Sequence, residues 1–211
     1  MSVQVKICGL NAPDAVRAAA EADFAGFVFY GPSPRNVTPA TAAELAAKLP
    51  RQVKRVALTV DADDALLRLA LVEFKPDILQ LHGKEPPDRV AAIKHQFGLP
   101  VMKAIPVREA ADLDAARAYC GIADWLLFDG KPGRDTGRPG GNAATFDWAL
   151  LTGKAFGTRW MLSGGLTASN VGEAVRISGA ATVDVSSGVE DKPGHKNVFK
   201  IKRFIKAVRA L

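Results

Sequence analysis

The chain has 211 residues, 48% of them hydrophobic and 24% charged, with a formal net charge of +6. This composition suits a folded domain with one large core and argues against a disordered or fibrous chain. No apolar run reaches the roughly 18 residues of a membrane span, and no basic segment leads into an apolar one, so no signal peptide is expected and the cytoplasm is the default.

The N-terminal stretch Val3-Gln4-Val5-Lys6-Ile7-Cys8-Gly9-Leu10 sets a pattern that the remainder repeats. Residues 3–7 predict a short strand, apolar at alternate positions. It stops at Cys8-Gly9, and Asn11-Ala12-Pro13-Asp14 opens a helix over 12–22. A second strand is predicted over 26–30 and a second helix over 39–49, with Thr38 as its cap. A third strand spans 55–60, and Asp61 is expected to cap a helix over 62–74. The fourth pair is 78–81 with 86–97, where Pro86 and Pro87 start the helix. The fifth is 101–105 with about 108–119. The sixth strand, 125–128, runs into a polar, glycine-rich loop from Asp129 to about Thr145, then a short helix over 146–151. The seventh pair is 159–162 with 168–177, and the eighth is 182–185 with 197–209.

Eight strand–helix units imply parallel strands joined by right-handed crossovers. Their number and length fit a closed (β/α)8 barrel of the TIM type, as a single α/β domain over 1–211. An open doubly wound sheet is disfavoured, because no Gly-x-Gly-x-x-Gly follows the first strand.

In such a barrel the C-terminal strand ends share one face and carry the chemistry. The polar residues there are Cys8, Arg35, His82, Asp129, Ser163-Gly164-Gly165 and Ser186-Ser187-Gly188. The loops after strands seven and eight are where barrels often bind phosphate, because glycines let backbone N–H groups approach an anion closely. Read singly, each is only a turn. Cys8 and Asp129 form a possible acid–base pair across the ring. A buried apolar Cys and a turn-capping Asp are the plainer readings of each alone. Arg35, in a loop stiffened by Pro32 and Pro34, suits a carboxylate, or is a solvated surface Arg. His82 is an acid–base group or, preferably, a hydrogen-bonded strand-end residue. His95 and His195 have no metal-ligand spacing. Cys8 and Cys120 are expected as free thiols.

Together these motifs resemble the phosphoribosylanthranilate isomerases of tryptophan biosynthesis. The resemblance rests on Lys6-Ile7-Cys8-Gly9, Gly26 to Tyr30 through Ser33-Pro34-Arg35, Gln80 to Glu85, Leu127-Phe128-Asp129 and Phe146-Asp147-Trp148. It continues through Leu162 to Leu166, Asp184 to Glu190, and Pro193-Gly194. It implies a cofactor-free, metal-free Amadori rearrangement. Asp129 would be the general acid at the furanose oxygen and Cys8 the general base at C2′. Arg35 would hold the anthranilate carboxylate, and His82 and Asp184 would be further substrate contacts. Gly164, Gly165, Ser186, Ser187 and Gly188 would hold the phosphate. The partner would be the small-molecule substrate, with neither nucleic acid nor membrane, in a monomer or homodimer. Two departures stand out. The loop after the sixth strand reads Gly140-Gly141-Asn142-Ala143-Ala144-Thr145, where the family usually has Gly-Gly-Thr-Gly, and Asn197 replaces a common Asp as a helix cap.

Two competing readings remain open. An indole-glycerol-phosphate synthase-like barrel would need a Lys at the strand ends, with Lys6 or Lys103 as candidates. A silent phosphate-ligand binder would need neither Cys8 nor Asp129. The basic C-terminal segment, with Phe199, Ile201, Phe204, Ile205 and Val208 on an apolar side, is expected to be an outer barrel helix rather than a membrane or nucleic-acid surface.

Overall fold

A computed structural model describes residues 2–131 and 145–211. Eight parallel strands close into a barrel in sequential order: β1 (Gln4–Cys8), β2 (Phe24–Phe29), β3 (Lys54–Thr59), β4 (Ile78–Leu81), β5 (Val101–Val107), β6 (Trp125–Gly130), β7 (Arg159–Leu162) and β8 (Thr182–Val185). The helices between them are α1 (Pro13–Ala18), α2 (Pro39–Ala46), α3 (Asp64–Leu69), α4 (Pro87–Phe97), α5 (Ala110–Arg117) and α6 (Val171–Ser178). The expected barrel is therefore the observed one. Much of the loop after β6, including Gly140 to Ala144, lies outside the described residues.

Strand alternation sorts the side chains into two cores. Phe24, Val56, Ile78, Met102, Ala104, Trp125, Leu127 and Met161 fill the barrel interior. The intervening residues, such as Ile7, Phe27, Leu79, Leu126 and Phe128, belong to a larger cluster shared with the helices. The interior also holds a charged layer. Lys6 is in register with Asp184, and their side chains pair at 2.9 Å. At the lower end the Arg159 guanidinium stacks on the Trp125 ring, 4.5 Å from its centre.

Several local expectations match. Thr38 caps α2 by accepting from the Thr41 N–H at 3.1 Å. Asn197 caps α7 (Val198–Arg209) by accepting from the Lys200 N–H at 3.0 Å. That helix buries Ile201, Phe204, Ile205 and Val208 against the barrel and leaves Lys202, Arg203 and Lys206 in solvent. Phe199 departs from the expectation: it is 83% exposed, because at helical spacing it shares the outer face of α7 with Lys202, Arg203 and Lys206. No helix of the described residues is long and apolar enough to cross a membrane.

Two local readings change. Asp63, not Asp61, caps α3, accepting from the Leu66 N–H at 2.8 Å. Asp61 instead accepts from the Lys84 N–H at 2.6 Å, a partner 23 residues away. Beyond α3 the chain continues as a π-helical turn, Ala70–Phe74. A further element was not expected from sequence. After a short 3-10 turn over Ser187–Val189, β9 (Glu190–Lys192) and β10 (His195–Lys196) form an antiparallel hairpin before α7.

Candidate active site

Cys8 is the last residue of β1 and is buried at 4% exposure. It lies on the interior face with Lys6: a Cβ placed on Gly26 of the neighbouring strand would be 3.0 Å from Cys8 Sγ and 3.3 Å from Lys6 Cε. Burial pushes the Cys8 thiol up, Lys6 and Lys196 pull it back, and Asp184 adds to the rise. Lys6 is fully buried, which works against its charge, but Asp184 and Cys8 outweigh that and its ammonium is held above its ordinary value. Ser163 Oγ donates to the second Asp184 oxygen at 3.1 Å. Asp184 therefore sits one layer below Cys8 with both oxygens engaged.

Asp129 lies inside β6 rather than in the turn that follows, and it is buried. Its Oδ2 is 3.3 Å from His82 Nε2. Gln80 Nε2 lies 3.0 Å from the other ring nitrogen, Nδ1. Gln80 and His82 project to the same face because they are two residues apart on an extended strand. His82 is thus a hydrogen-bonded strand-end residue beside the second candidate catalytic group.

Arg35 is not a surface arginine. It is 5% exposed, and its fork clamps Glu190: Nε to Oε1 and Nη2 to Oε2, both at 2.7 Å. Lys196 Nζ reaches the same carboxylate at 2.8 Å. Burial raises the Glu190 carboxyl, but Arg35 and Lys196 outweigh it and hold Glu190 below its ordinary value. Glu190 and Lys196 are the residues that sequence reasoning did not place in the site. The available signal was a pair of charges flanking the turn at Pro193-Gly194.

The glycines of the candidate phosphate loops have physical reasons to be glycine. Gly164 and Gly165 have φ of 91° and 62°, which disfavours any side chain. A Cβ on Gly188 would collide with the Leu166 carbonyl oxygen, so the loops after β7 and β8 touch backbone to backbone. Lys196 Nζ donates to the Ser186 carbonyl at 2.9 Å and lies 3.2 Å from its hydroxyl, bringing a cation to this edge.

The barrel face thus gathers a thiol, a carboxyl and two loops suited to an anion. Lys103 does not join them. It lies between the interior residues Met102 and Ala104, so it points outward, where Nζ pairs with Glu85 at 2.8 Å. That removes it as the strand-end lysine of an indole-glycerol-phosphate synthase. Lys6 is inside the barrel but tied to Asp184.

Comparison with known proteins supplies the family. The family model for N-(5'phosphoribosyl)anthranilate (PRA) isomerase matches residues 5–207. The N-(5'-phosphoribosyl)anthranilate isomerase of Paramagnetospirillum magneticum is 58% identical over 211 residues, covering 99% of this chain and 98% of the relative. That of Rhodospirillum centenum is 52% identical, with both chains fully covered. The crystal structure of the phosphoribosyl anthranilate isomerase from Thermotoga maritima aligns with a TM-score of 0.87 at 35% identity, covering 99% of this chain and 100% of that one. A further crystal structure of this kind, in complex with reduced 1-(o-carboxyphenylamino)-1-deoxyribulose 5-phosphate, aligns at 0.84 with 34% identity, covering 99% of this chain and 100% of that one. With a closed eight-stranded barrel and relatives this similar, the chain belongs to the N-(5′-phosphoribosyl)anthranilate isomerase family.

Proposed function

We propose that this protein converts N-(5-phosphoribosyl)anthranilate into 1-(2-carboxyphenylamino)-1-deoxyribulose 5-phosphate in tryptophan biosynthesis, by acid–base catalysis without metal or organic cofactor. The observation that carries this reading is the placement of Cys8 and Asp129. Both are buried, on β1 and β6, at the strand ends of one barrel face.

Asp129, as general acid, gives its proton to the furanose ring oxygen as the C1′–O bond breaks and a Schiff base forms. Cys8, as thiolate, takes the proton from C2′, leaving an enolamine and a neutral thiol. The enolamine becomes the ketone when C1′ gains a proton and the C2′ hydroxyl loses one. Asp129 then regains a proton and Cys8 releases one, by exchange with solvent, which closes the cycle.

Arg35 holds the anthranilate carboxylate. Its clamp on Glu190 supports this role by fixing the plane of the guanidinium before substrate arrives. Gly164, Gly165, Ser186, Ser187 and Gly188 hold the phosphate at the other end. His82 lines the substrate beside Asp129, while Asp184 contributes from the layer below through Lys6 and Ser163. The protein acts as one domain in the cytoplasm, as a monomer or homodimer. A Thermotoga maritima relative is described as dimeric.

The test is turnover of phosphoribosylanthranilate, generated in place from anthranilate and phosphoribosyl pyrophosphate by an added transferase. Rapid decay of substrate fluorescence on adding the protein, in the presence of chelator, is expected. Decay no faster than the spontaneous rate, from folded protein, would sink the reading.

A further inference from the structure

We propose that Lys196 is a positioning residue for Cys8: the β9–β10 hairpin delivers its buried ammonium to the end of β1, where its positive charge lets the thiol give up a proton and serve as base. This inference rests on the isomerase reading above and adds to it a residue outside the acid–base pair.

The hairpin is fastened directly over the loop that follows Cys8. Asn11 Nδ2 donates to the Gly194 carbonyl at 2.9 Å. A Cβ on Gly194 would meet the Pro34 carbonyl oxygen, so the hairpin tip also abuts the loop that carries Arg35. At Gly9, next to Cys8, a Cβ would lie 2.6 Å from Arg35 Cδ and 3.3 Å from Ser186 Oγ. That Ser186 hydroxyl is one of the oxygens within hydrogen-bond distance of Lys196 Nζ. Arg35 and Ser186 therefore meet above Gly9, and Lys196 reaches that same Ser186. The Lys196 side chain is 0% exposed, and its ammonium has three oxygens around it: Ser186 O, Ser186 Oγ and Glu190 Oε1. Three oxygens match the three N–H donors of an ammonium.

Lys196 and Lys6 differ in their pairing. Among the described residues, the charged groups that act on the Cys8 thiol are Lys6 from its own strand, Asp184 from β8 and Lys196 from the hairpin. Lys6 and Asp184 form one ion pair, neutral as a unit. Among the described residues Lys196 pairs with Glu190, which Arg35 also clamps, so its positive charge reaches the thiol from outside the Lys6–Asp184 pair. Interactions of this kind are weakly screened in a buried site. The coupling is reciprocal: burial lowers the Lys196 ammonium, while Glu190 and the Cys8 thiolate support it.

The experiment follows Cys8 itself, so that it does not depend on turnover. Alkylation of Cys8 by iodoacetamide is measured from neutral to alkaline pH, with mass mapping to separate it from Cys120, in the unmodified protein and in Lys196→Met, Lys196→Gln and Lys196→Arg. Lys196→Gln keeps donors for Ser186 and Glu190 and removes only the charge. In both neutral variants the alkylation profile, and the acid limb of kcat for phosphoribosylanthranilate, should move to higher pH. A rate about tenfold lower at neutral pH corresponds to one unit of that movement. Lys196→Arg should restore most of the rate. An unmoved alkylation profile in a folded neutral variant, with only KM raised, would overturn the proposal and leave Lys196 as an anchor of the phosphate loop. Should the neutral variants fail to fold, ¹⁵N-lysine NMR of the unmodified protein decides. Methylthiolation of Cys8 should shift the Lys196 titration to lower pH, and no shift would overturn the proposal. Failure of the isomerase reading would show separately, as absent turnover with the Cys8–Lys196 coupling intact.

Discussion

His82 Nε2 lies 3.3 Å from Asp129 Oδ2, while Gln80 Nε2 lies 3.0 Å from His82 Nδ1. With the Gln80 amide donating to Nδ1, the ring proton is on Nε2 and points at the carboxylate. The side chain proposed as general acid is therefore aligned by a histidine just past β4, and that histidine by a glutamine two residues earlier, within β4. His82→Ala is expected to lower kcat by about tenfold, less than loss of the general acid itself. A kcat unchanged within error would show that Asp129 needs no such alignment.

The proposed acid–base pair makes a sharper prediction. Cys8→Ala and Asp129→Asn should each lose about 10²–10⁴-fold in turnover. Both residues are buried, but neither change adds volume, so circular dichroism should still report a folded barrel. Turnover equal to that of the unmodified protein in either variant would refute its assigned role.

Asp184→Asn probes the charged layer beneath the site. The substitution leaves the fully buried Lys6 without its anion. Removing one partner of such a buried pair costs roughly 3–5 kcal/mol. Denaturant titration should show that loss as a lower midpoint with an unchanged slope. A midpoint within error of the original would mean that Lys6 finds another partner or sheds its proton at little cost.

Gly188→Ala tests the contact between the two candidate phosphate loops. The added methyl would run into the Leu166 carbonyl oxygen. Overpacking of this kind costs about 1–3 kcal/mol, and here the strain falls on backbone proposed to hold phosphate. KM should rise while the acid–base residues stay in place, and inorganic phosphate should become a weaker competitive inhibitor. Unchanged KM and inhibition would remove Gly188 from the phosphate site.

Glu190 ties stability to pH. Burial raises its carboxyl, but Arg35 and Lys196 hold it below its ordinary value of 4.5. A carboxyl depressed in the folded state adds stability above its unfolded value and loses it as pH falls through the folded one. Unfolding free energy should therefore decline below about pH 4.5, and Glu190→Gln should flatten that part of the curve. An identical acid dependence in the variant would assign the decline to other carboxyls.

The sequence by itself determined the barrel, because its signals are local. Alternating apolar residues, Thr38 and Asn197 as caps, and Pro87 at a helix start act within a few residues of themselves. Given eight strand–helix units, topology then placed Cys8, His82 and Asp129 on one face. What only the tertiary structure decided are contacts between residues far apart in the chain. Asp61 and Asp63 are both good caps in sequence, and a loop 23 residues away decided between them. Arg35 looked as ready for solvent as for a carboxylate until Glu190, 155 residues later, closed on its fork. Lys6 and Lys103 are both strand lysines. Pleat direction sent one inward to Asp184 and the other outward to Glu85. The Glu190–Lys196 hairpin carries the least local signal. Its two charges matter only once the barrel has brought Arg35, Ser186 and Cys8 beneath them, because a buried ion pair forms only when the fold removes both partners from water.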